Sequence, residues 1–573
     1  METNNEYTTE VTDKEIANGV KDEYGCIYSP DGKRLLKGND DIESYTIKEG
    51  TEVICDKAWY FWRGRRSLQS IVIPVSVTKI GDYAFDGCES LQSIVIPESV
   101  TEIGDGAFMY CKSLQSIVIP NSVTEIGGMA FSCCDSLQSI VIPESVTKIG
   151  LGAFSGCTSL RSIVIPKSVT EIEDNPFPPK IEIISHSERF VIENDFFIDL
   201  KEKRLIQPLK DKKHIVIPDS VTEIGKFAFW SCKSLQSIVI PKSVTEIGDK
   251  AFWGCESLES IVIPESVTEI GNSAFCYCCS LESINIPKSV TKIGDNAFSW
   301  CRSLQSIVIP ESVTEIGDEA FYNCKSLQSI VIPDSVTEIG NCAFSSCESL
   351  QSIVIPDSVT KIGDNTFEGC ESLQNIVIPK SVTEIGEGAF EGCSSLQSIV
   401  IPESVTEIGS GAFDGCKSLQ SIIIPKSVTE IAFGTFYGCE SLQSIVIPKS
   451  VTEIGERTFP LGIELTLHSS KFVVEDDLLI DLEEKRLIQC LKDKDTIVVP
   501  QSITEIVGGA FEYCRSLKSI VIPESVTEIN ENIIGEDAFI YCESLQSIVI
   551  PNGTREHFED LLDENYHELL KEE

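Results

Sequence analysis

The chain has 573 residues, 42% of them apolar and 24% charged, so it is long for one compact core and too apolar for global disorder. Its 89 acidic and 46 basic residues give a net charge of −43, which sets it against nucleic acid and anionic membrane as partners. Such charge keeps a long sheet-rich chain soluble; it also attracts basic partners and cations.

Residues 1–24 read as a polar N-terminal segment. METNNEYTTEVTDKEIANG holds no apolar signal-peptide core, and no run of about 18 apolar residues follows anywhere. The cytoplasm is therefore the default expectation, with the cell surface by a non-standard route as the alternative.

GCIYSPDGKRLLKG (25–38) reads as a β-hairpin turning at S-P-D-G. IKEGTEVICDKAW (47–59) is a degenerate first copy of a repeat, with Lys48 in its Pro place and Trp59 in its Phe place. Full copies follow as S-L-Q-S-I-V-I-P-x-S-V-T-x-I-G-x-x-A-F-x-x-C-x. Their prolines stand at 74, 97, 120, 143 and 166, then every 23 residues from 218 to 448, then at 500, 523 and 551.

Each unit is too short to fold alone and must bury its apolar positions on its neighbours. Leu68, Ile71 and Ile73 fit one short strand, and Val77 and Ile80 a second. Pro74 ends the first strand because it has no N–H to give. Ala84 and Phe85 plug a short helical or 3-10 turn into the interior. The expected fold is a mainly β repeat solenoid of about 20 turns of 23 residues, counted as nineteen copies and the degenerate one.

The period breaks twice, from Pro166 to Pro218 and from Pro448 to Pro500, by 52 residues each time. DFFIDLKEKRLIQP (195–208) and DLLIDLEEKRLIQC (477–490) align without gaps with each other and with the first hairpin. Arg34, Arg204 and Arg486 then share one structural position. Each hairpin starts a solenoid segment or, on a second reading, protrudes to bind a partner. The expected organisation is a hairpin cap and first segment (25–180), a second segment (181–462), a third (463–551) and an acidic helical cap (552–573). KIEII (180–184) and IELTL (463–467) supply one extra strand each. Phe558, Leu561, Leu562 and Leu569, at roughly helical spacing, cover the last turn.

Sixteen of the 23 cysteines, from Cys88 and Cys111 to Cys514 and Cys542, fall in one column of the repeat. A column one strand apart could approach disulfide distance. Its periodicity with the core instead reads as buried free thiols, which suit a reducing compartment. Cys133 with Cys134, and Cys276 with Cys278 and Cys279, lack the paired spacing or nearby His of a zinc site. None of His186, His214, His468, His557 and His567 joins a recurring Ser/Asp constellation. No phosphate-binding, zinc-protease or nucleophile-elbow motif occurs. An active site needs a unique arrangement, whereas these carboxylates repeat in columns. The expectation is a non-enzyme with no cofactor, and a carbohydrate-active β-solenoid is the enzymatic alternative.

The outward positions form the candidate binding face. Val lies between two inward Ile, so alternation sends it out, with Ser two residues before it. The face comprises Ser93, Val95, Ser116, Val118, Ser139, Val141, Ser237, Val239, Ser260, Val262, Ser306, Val308, Ser329, Val331, Ser352 and Val354. Either β-branched stacking supports the ladder, or an apolar stripe awaits a partner. Beside it runs a column of 14 Glu (Glu102, Glu125, Glu171, Glu223 and onward) and four Lys: Lys79, Lys148, Lys292 and Lys361. Like charges stacked every turn repel. Weak divalent-cation binding is therefore expected there, with calcium or high salt raising the melting temperature.

The string I-P-x-S-V-T-x-I-G-x-x-A-F-x-x-C, repeated over about 47–551, resembles the BspA-type leucine-rich repeats of a bacterial surface-antigen family also expanded in some protist parasites. The ending IPNGTREHFEDLL is similar to that of many such proteins from gut and oral Bacteroidetes. The resemblance implies a leucine-rich repeat solenoid, with the Ser/Val positions lining its concave sheet, and a role in adhesion or binding to a host or matrix protein, or a glycan. A passive, self-associating spacer is the alternative. Surface members of the family carry an export signal, which this chain does not show. The sequon Asn552-Gly-Thr554 matters only on export into a glycosylating cell.

Overall fold

Alternation within each repeat sets the main chain. In Ser-Ile-Val the Ile points inward while Ser and Val face out. Each such strand pairs in parallel with its own copy one turn later: Ser306 with Ser329, Ile307 with Ile330 and Val308 with Val331. A two-residue strand follows the proline corner and forms a second ladder, with Glu315 opposite Glu338 and Ile316 opposite Ile339. The computed structural model describes residues 8–60, 67–530 and 537–573; the first seven residues of the expected polar segment lie outside the described residues.

The chain divides into two compact units, residues 1–256 and 257–573. The first opens with a helix, Asp13–Asn18, under a capping box: the Thr12 side chain accepts from the Glu15 N–H while the Glu15 carboxylate accepts from the Thr12 N–H. Strand Ile27–Tyr28 pairs antiparallel with Arg34–Lys37, as the hairpin reading expected, and also with Val20–Lys21. Arg34–Lys37 then pairs in parallel with Val53–Ile54 and so starts the second ladder. Strand Ser44–Thr46 starts the Ser-Ile-Val ladder. The first interruption adds Glu182–Ser185, paired with Ser162–Ile165, and an antiparallel sheet of Phe190–Glu193, Phe196–Asp199 and Arg204–Pro208. Arg204 stands opposite Glu223, which restarts the ladder.

The second unit repeats the scheme. Its ladder runs from Ser260–Val262 to Ser398–Val400. The second interruption adds Glu464–Leu467, paired with Ser444–Ile447, and then Phe472–Glu475, Leu478–Asp481 and Arg486–Cys490. Arg486 stands opposite Glu505, the same place that Arg204 takes.

Three strands beyond the nineteen copies and the degenerate first turn, namely Glu182–Ser185, Glu464–Leu467 and Leu570–Glu572, bring the solenoid to about 23 turns rather than about 20. The last of them corrects the purely helical ending. Only Arg555–Leu561 is α-helical; Glu564–Leu569 is a 3-10 turn, and Leu570–Glu572 pairs with Ile548–Ile550. The edge of the final Ser-Ile-Val strand carries unpaired backbone groups, and a strand satisfies them where a helix would not.

Inside, the Ile, Leu, Ala and Phe columns and the Val of S-V-T are buried, with Ile529 and Leu545 near the C-terminal end half-buried. The phenylalanines stack face to face at one ring per turn. Phe298, Phe321 and Phe344 have centroids 5.5 and 5.4 Å apart and planes within 8°. Trp59 stacks on Phe85 at 5.4 Å, in the Phe place of the degenerate first copy. The segment holding Ala and Phe is a chain of tight turns. Ala84 N–H donates to Gly81 O and Asp86 N–H to Tyr83 O, while a left-handed Tyr83 (φ 55°) stops a continuous 3-10 helix.

The glycine of T-x-I-G is fixed by crowding. A Cβ on Gly340 would lie 2.4 Å from the Asp318 nitrogen of the previous turn. The polar letters of P-x-S-V-T also join turns. Ser312 Oγ donates to Val290 O at 2.6 Å, and Thr314 N–H donates to Thr291 O at 2.9 Å.

Candidate interaction surface

Because Ile307 and Ile330 turn into the core, Val308 and Val331 must turn out, and they are 67% and 69% exposed. The row continues through the second unit at Val262, Val354, Val377, Val400 and Ile423, none below 67%. Their serines, Ser260, Ser306, Ser329 and Ser352, are exposed beside them. In the first unit Val95, Val118, Val141 and Val239 are exposed, with Ser93, Ser116 and Ser139; Ser237 is half-buried. His214 takes the serine place one turn earlier, and its Nδ1 lies 2.8 Å from Ser237 Oγ. Each unit thus presents parallel rows of Val and Ser that are largely uncharged, with Asn285 in one Val place and Glu182 and Glu464 in register with Ser162 and Ser444.

The acidic column beside these rows is not uniformly repulsive. Each of its four lysines meets the Glu of the following turn: Lys79–Glu102 at 3.6 Å, Lys148–Glu171 at 3.3 Å, Lys292–Glu315 at 2.5 Å and Lys361–Glu384 at 2.6 Å. The pairs are exposed and each contributes little. Glu407, Glu430 and Glu453 follow as three successive acids, and a shallow cleft of about 580 Å³ is lined by Glu384, Glu387, Glu407 and Glu430. Among the described residues no group of three or more His, Cys, Asp or Glu has the placement to hold a metal ion.

A further set of acids has a structural task that column reading overlooked. In the residue after the repeat's glycine, Asp82 Oδ1 accepts from the Asp105 N–H at 2.8 Å. Asp318 Oδ1 accepts from Asn341 N–H at 2.7 Å, and Asn341 Oδ1 from Asp364 N–H at 2.9 Å. Asp and Asn alternate freely there because only the shared oxygen is used. That interchange was the available sequence signal.

The cysteine column is buried except at Cys232 and Cys542, which are partly exposed. Each thiol typically donates to the Phe carbonyl of the turn before: Cys324 Sγ to Phe298 O at 3.2 Å, Cys347 Sγ to Phe321 O at 3.3 Å. Burial pushes the Cys232 and Cys439 thiols up to about 12, and those of Cys301, Cys324 and Cys347 well above their ordinary range.

The hairpins carry the least repetitive chemistry. Arg34 is buried and donates to Glu15 at 2.6 Å. Arg204 donates to Asp174 and to Ile172 O, whereas Arg486 Nε lies 3.9 Å from Glu484. One structural position thus serves three different pairings. At the second interruption Arg457 clasps the buried Glu512 (Nη2 to Oε1 2.7 Å), the Tyr437 hydroxyl donates to the same oxygen at 2.9 Å, and the guanidinium lies 4.7 Å over the Tyr437 ring. The matching residues of the first interruption are Asn175, Trp230 and Ser155, so the two junctions share a backbone and differ in what they display.

Stacked parallel turns with one buried Phe, one buried Cys and one outward Val each define a leucine-rich repeat solenoid. The BspA-type leucine-rich repeat region profile matches residues 54–183, 209–324, 291–416, 360–469 and 481–564, and the chain belongs to that family. No curated protein matches the chain. Among solved structures it is similar to a leucine-rich repeat protein from Bacteroides ovatus, at 27% identity over 78% of this chain and 97% of that one, with a TM-score of 0.38. A leucine-rich cell surface protein from Faecalibacterium prausnitzii is 27% identical over 65% and 97%, with a TM-score of 0.37. A leucine-rich repeat protein from Eubacterium ventriosum is 27% identical over 64% and 92%, with a TM-score of 0.45. Among the described residues no helix is long and apolar enough to cross a membrane.

Proposed function

We propose that the protein is a non-enzymatic scaffold of the adhesion type that captures an extended protein partner on the Val/Ser rows of its units, with a glycan as the second ligand class. The observation that supports it is the Val row of the second unit, at least 67% exposed from Val308 to Ile423 in an otherwise tightly buried aliphatic chain. Exposed apolar rows of this extent favour a partner. Near-identical turns favour avidity along a repetitive ligand over one unique anchor. Membership of a surface-antigen family supports the same reading. The three hairpins open segments at 25, 181 and 463, and the acids of the Glu column bind divalent cations weakly.

Replacing Val308, Val331, Val354 and Val377 together by Asp tests the proposal. Partner capture from matrix and cell extracts is lost while the circular dichroism spectrum stays unchanged. Retained capture moves the site elsewhere. Self-association abolished by the same substitutions, with no partner captured by the parent protein, favours the spacer. Protease shaving of intact source cells separates surface exposure from the cytoplasmic location that the buried thiols favour.

A further inference from the structure

The two interruptions share a backbone, so each serves as a control for the other. In both, a glutamine of the hairpin holds the chain that leaves the last regular turn. Gln207 Oε1 accepts from the Phe177 N–H at 3.4 Å; Gln489 Oε1 accepts from the Phe459 N–H at 3.1 Å, and its Nε2 donates to Phe459 O at 2.6 Å. The side chains around that common frame differ. Ser155, Thr158, Trp230 and Ser231 of the first junction become Tyr437, Glu440, Glu512 and Tyr513 of the second. Together with Leu461, these four line a cleft of about 420 Å³. That volume lies within the ~300–1,000 Å³ of small-ligand sites.

The walls of the cleft are aromatic and fixed. Tyr437 and Tyr513 have ring centroids 6.4 Å apart, and Tyr541 stacks on Tyr513 at 4.7 Å. Tyr513 and Tyr541 hold left-handed backbone, φ 56° and 58°, in the place that Gly369, Gly392, Gly415 and Gly438 take in earlier turns. That conformation is unfavourable for a bulky residue, and unfavourable backbone gathers at ligand clamps and other functional sites. The polar groups are few. Glu512 is 4% exposed and held by Arg457, Nε to Oε2 2.6 Å. Glu440 is exposed, and among the described residues no hydrogen bond or ion pair engages its carboxylate. The occupant follows by exclusion. Glu440 and Glu512 repel an anion. An organic cation competes with Arg457, already on Glu512, and with Arg515, whose guanidinium lies 5.2 Å over the Tyr513 ring. A wholly apolar ligand strips water from Glu440 and replaces none of its hydrogen bonds. A neutral saccharide fits, because it carries apolar C–H faces and hydroxyl donors on one small ring.

We propose that the cleft at the second interruption binds one terminal or branching unit of a neutral glycan. Tyr437, Tyr513 and Leu461 pack against the sugar's C–H face, and the Glu440 carboxylate accepts from its hydroxyls. Arg457 and Tyr437 act one step back: they hold Glu512 and so fix the floor of the cleft. The site uses none of the Val/Ser residues. It gives a repetitive chain one unique anchor, and the first junction, with Ser155, Thr158 and Ser231 in these places, has no equivalent.

The test is saturation-transfer difference NMR on the full-length protein with the methyl glycosides of glucose, galactose, mannose and N-acetylglucosamine at millimolar concentration. Ring protons of at least one glycoside are saturated. Tyr513→Ser and Glu440→Thr, which install the first junction's residues, each raise its Kd about tenfold or more, the scale of one lost hydrogen bond to a charged group. Tyr513→Phe keeps the wall and keeps binding. Methyl glucuronide, the anionic counterpart, is not saturated. The variant with Val308, Val331, Val354 and Val377 replaced by Asp binds the glycoside as the parent does, so failure of the Val/Ser reading and failure of this one are told apart. No saturation of any of the four glycosides overturns the proposal. So does a Kd unchanged by both Tyr513→Ser and Glu440→Thr, or saturation of the glucuronide equal to that of the neutral sugars. A melting curve on each variant establishes that it is folded.

Discussion

Replacing Phe321 by Ala removes one ring from a continuous stack. The side chain is fully buried, 5.5 Å from Phe298 on one side and 5.4 Å from Phe344 on the other. Phe-to-Ala changes in cores cost about 3–5 kcal/mol in lost transfer energy and cavity. Stacked pairs contribute about 0.5–1.5 kcal/mol each within such a figure. In a solenoid the loss falls on the mutated turn and its two neighbours, since each turn touches only those. At about 1.36 kcal/mol per tenfold, local opening near residue 321 becomes roughly 10² to 10⁴ times more frequent. Hydrogen-exchange mass spectrometry reads this directly: amides between 298 and 347 lose protection, while those between 93 and 149 do not change. Val331→Asp in the same unit, on an exposed side chain, serves as the reference and stays near the parent. Acceleration below tenfold in the mutated turn, or spread evenly over the chain, would refute nearest-neighbour packing of the Phe column as the source of stability.

Two further outcomes follow from the acids. Asp318→Ala removes the acceptor for the Asn341 N–H and costs about 1 kcal/mol, whereas Asp318→Asn keeps the oxygen and is near neutral; denaturant midpoints distinguish them. Burial, then Glu391, raises the Asp414 carboxyl from 3.8 to about 6. The folded state therefore binds the proton more tightly than the unfolded state, and its stability falls as pH rises from about 4 to about 6. Asp414→Asn flattens that slope, and an unchanged pH profile of unfolding would show that the site does not titrate in this window.

The repeat was legible because periodicity is a physical signal: Ile, Val, Ala, Phe and Cys recur where the core recurs, and Pro recurs where a strand must stop. The outward sense of Val308 or Val331 follows from alternation alone. The hairpins and the added strands at 182 and 464 were readable from the gapless match of the two interruptions. Other features needed three dimensions. The strand Leu570–Glu572 has no counterpart in the repeat, and its partner, Ile548–Ile550, is an exposed edge only once the turns are stacked. The oxygen-sharing ladder through Asp318 and Asn341 joins residues 23 positions apart, a distance the chain closes only by winding. The meeting of Arg457 with Glu512 depends on how a hairpin inserts between turns. Sequence by itself determined the turn, since one turn is a local pattern of burial. Tertiary structure decided what lies across neighbouring turns, because those contacts depend on stacking register and on chain segments that the period does not describe.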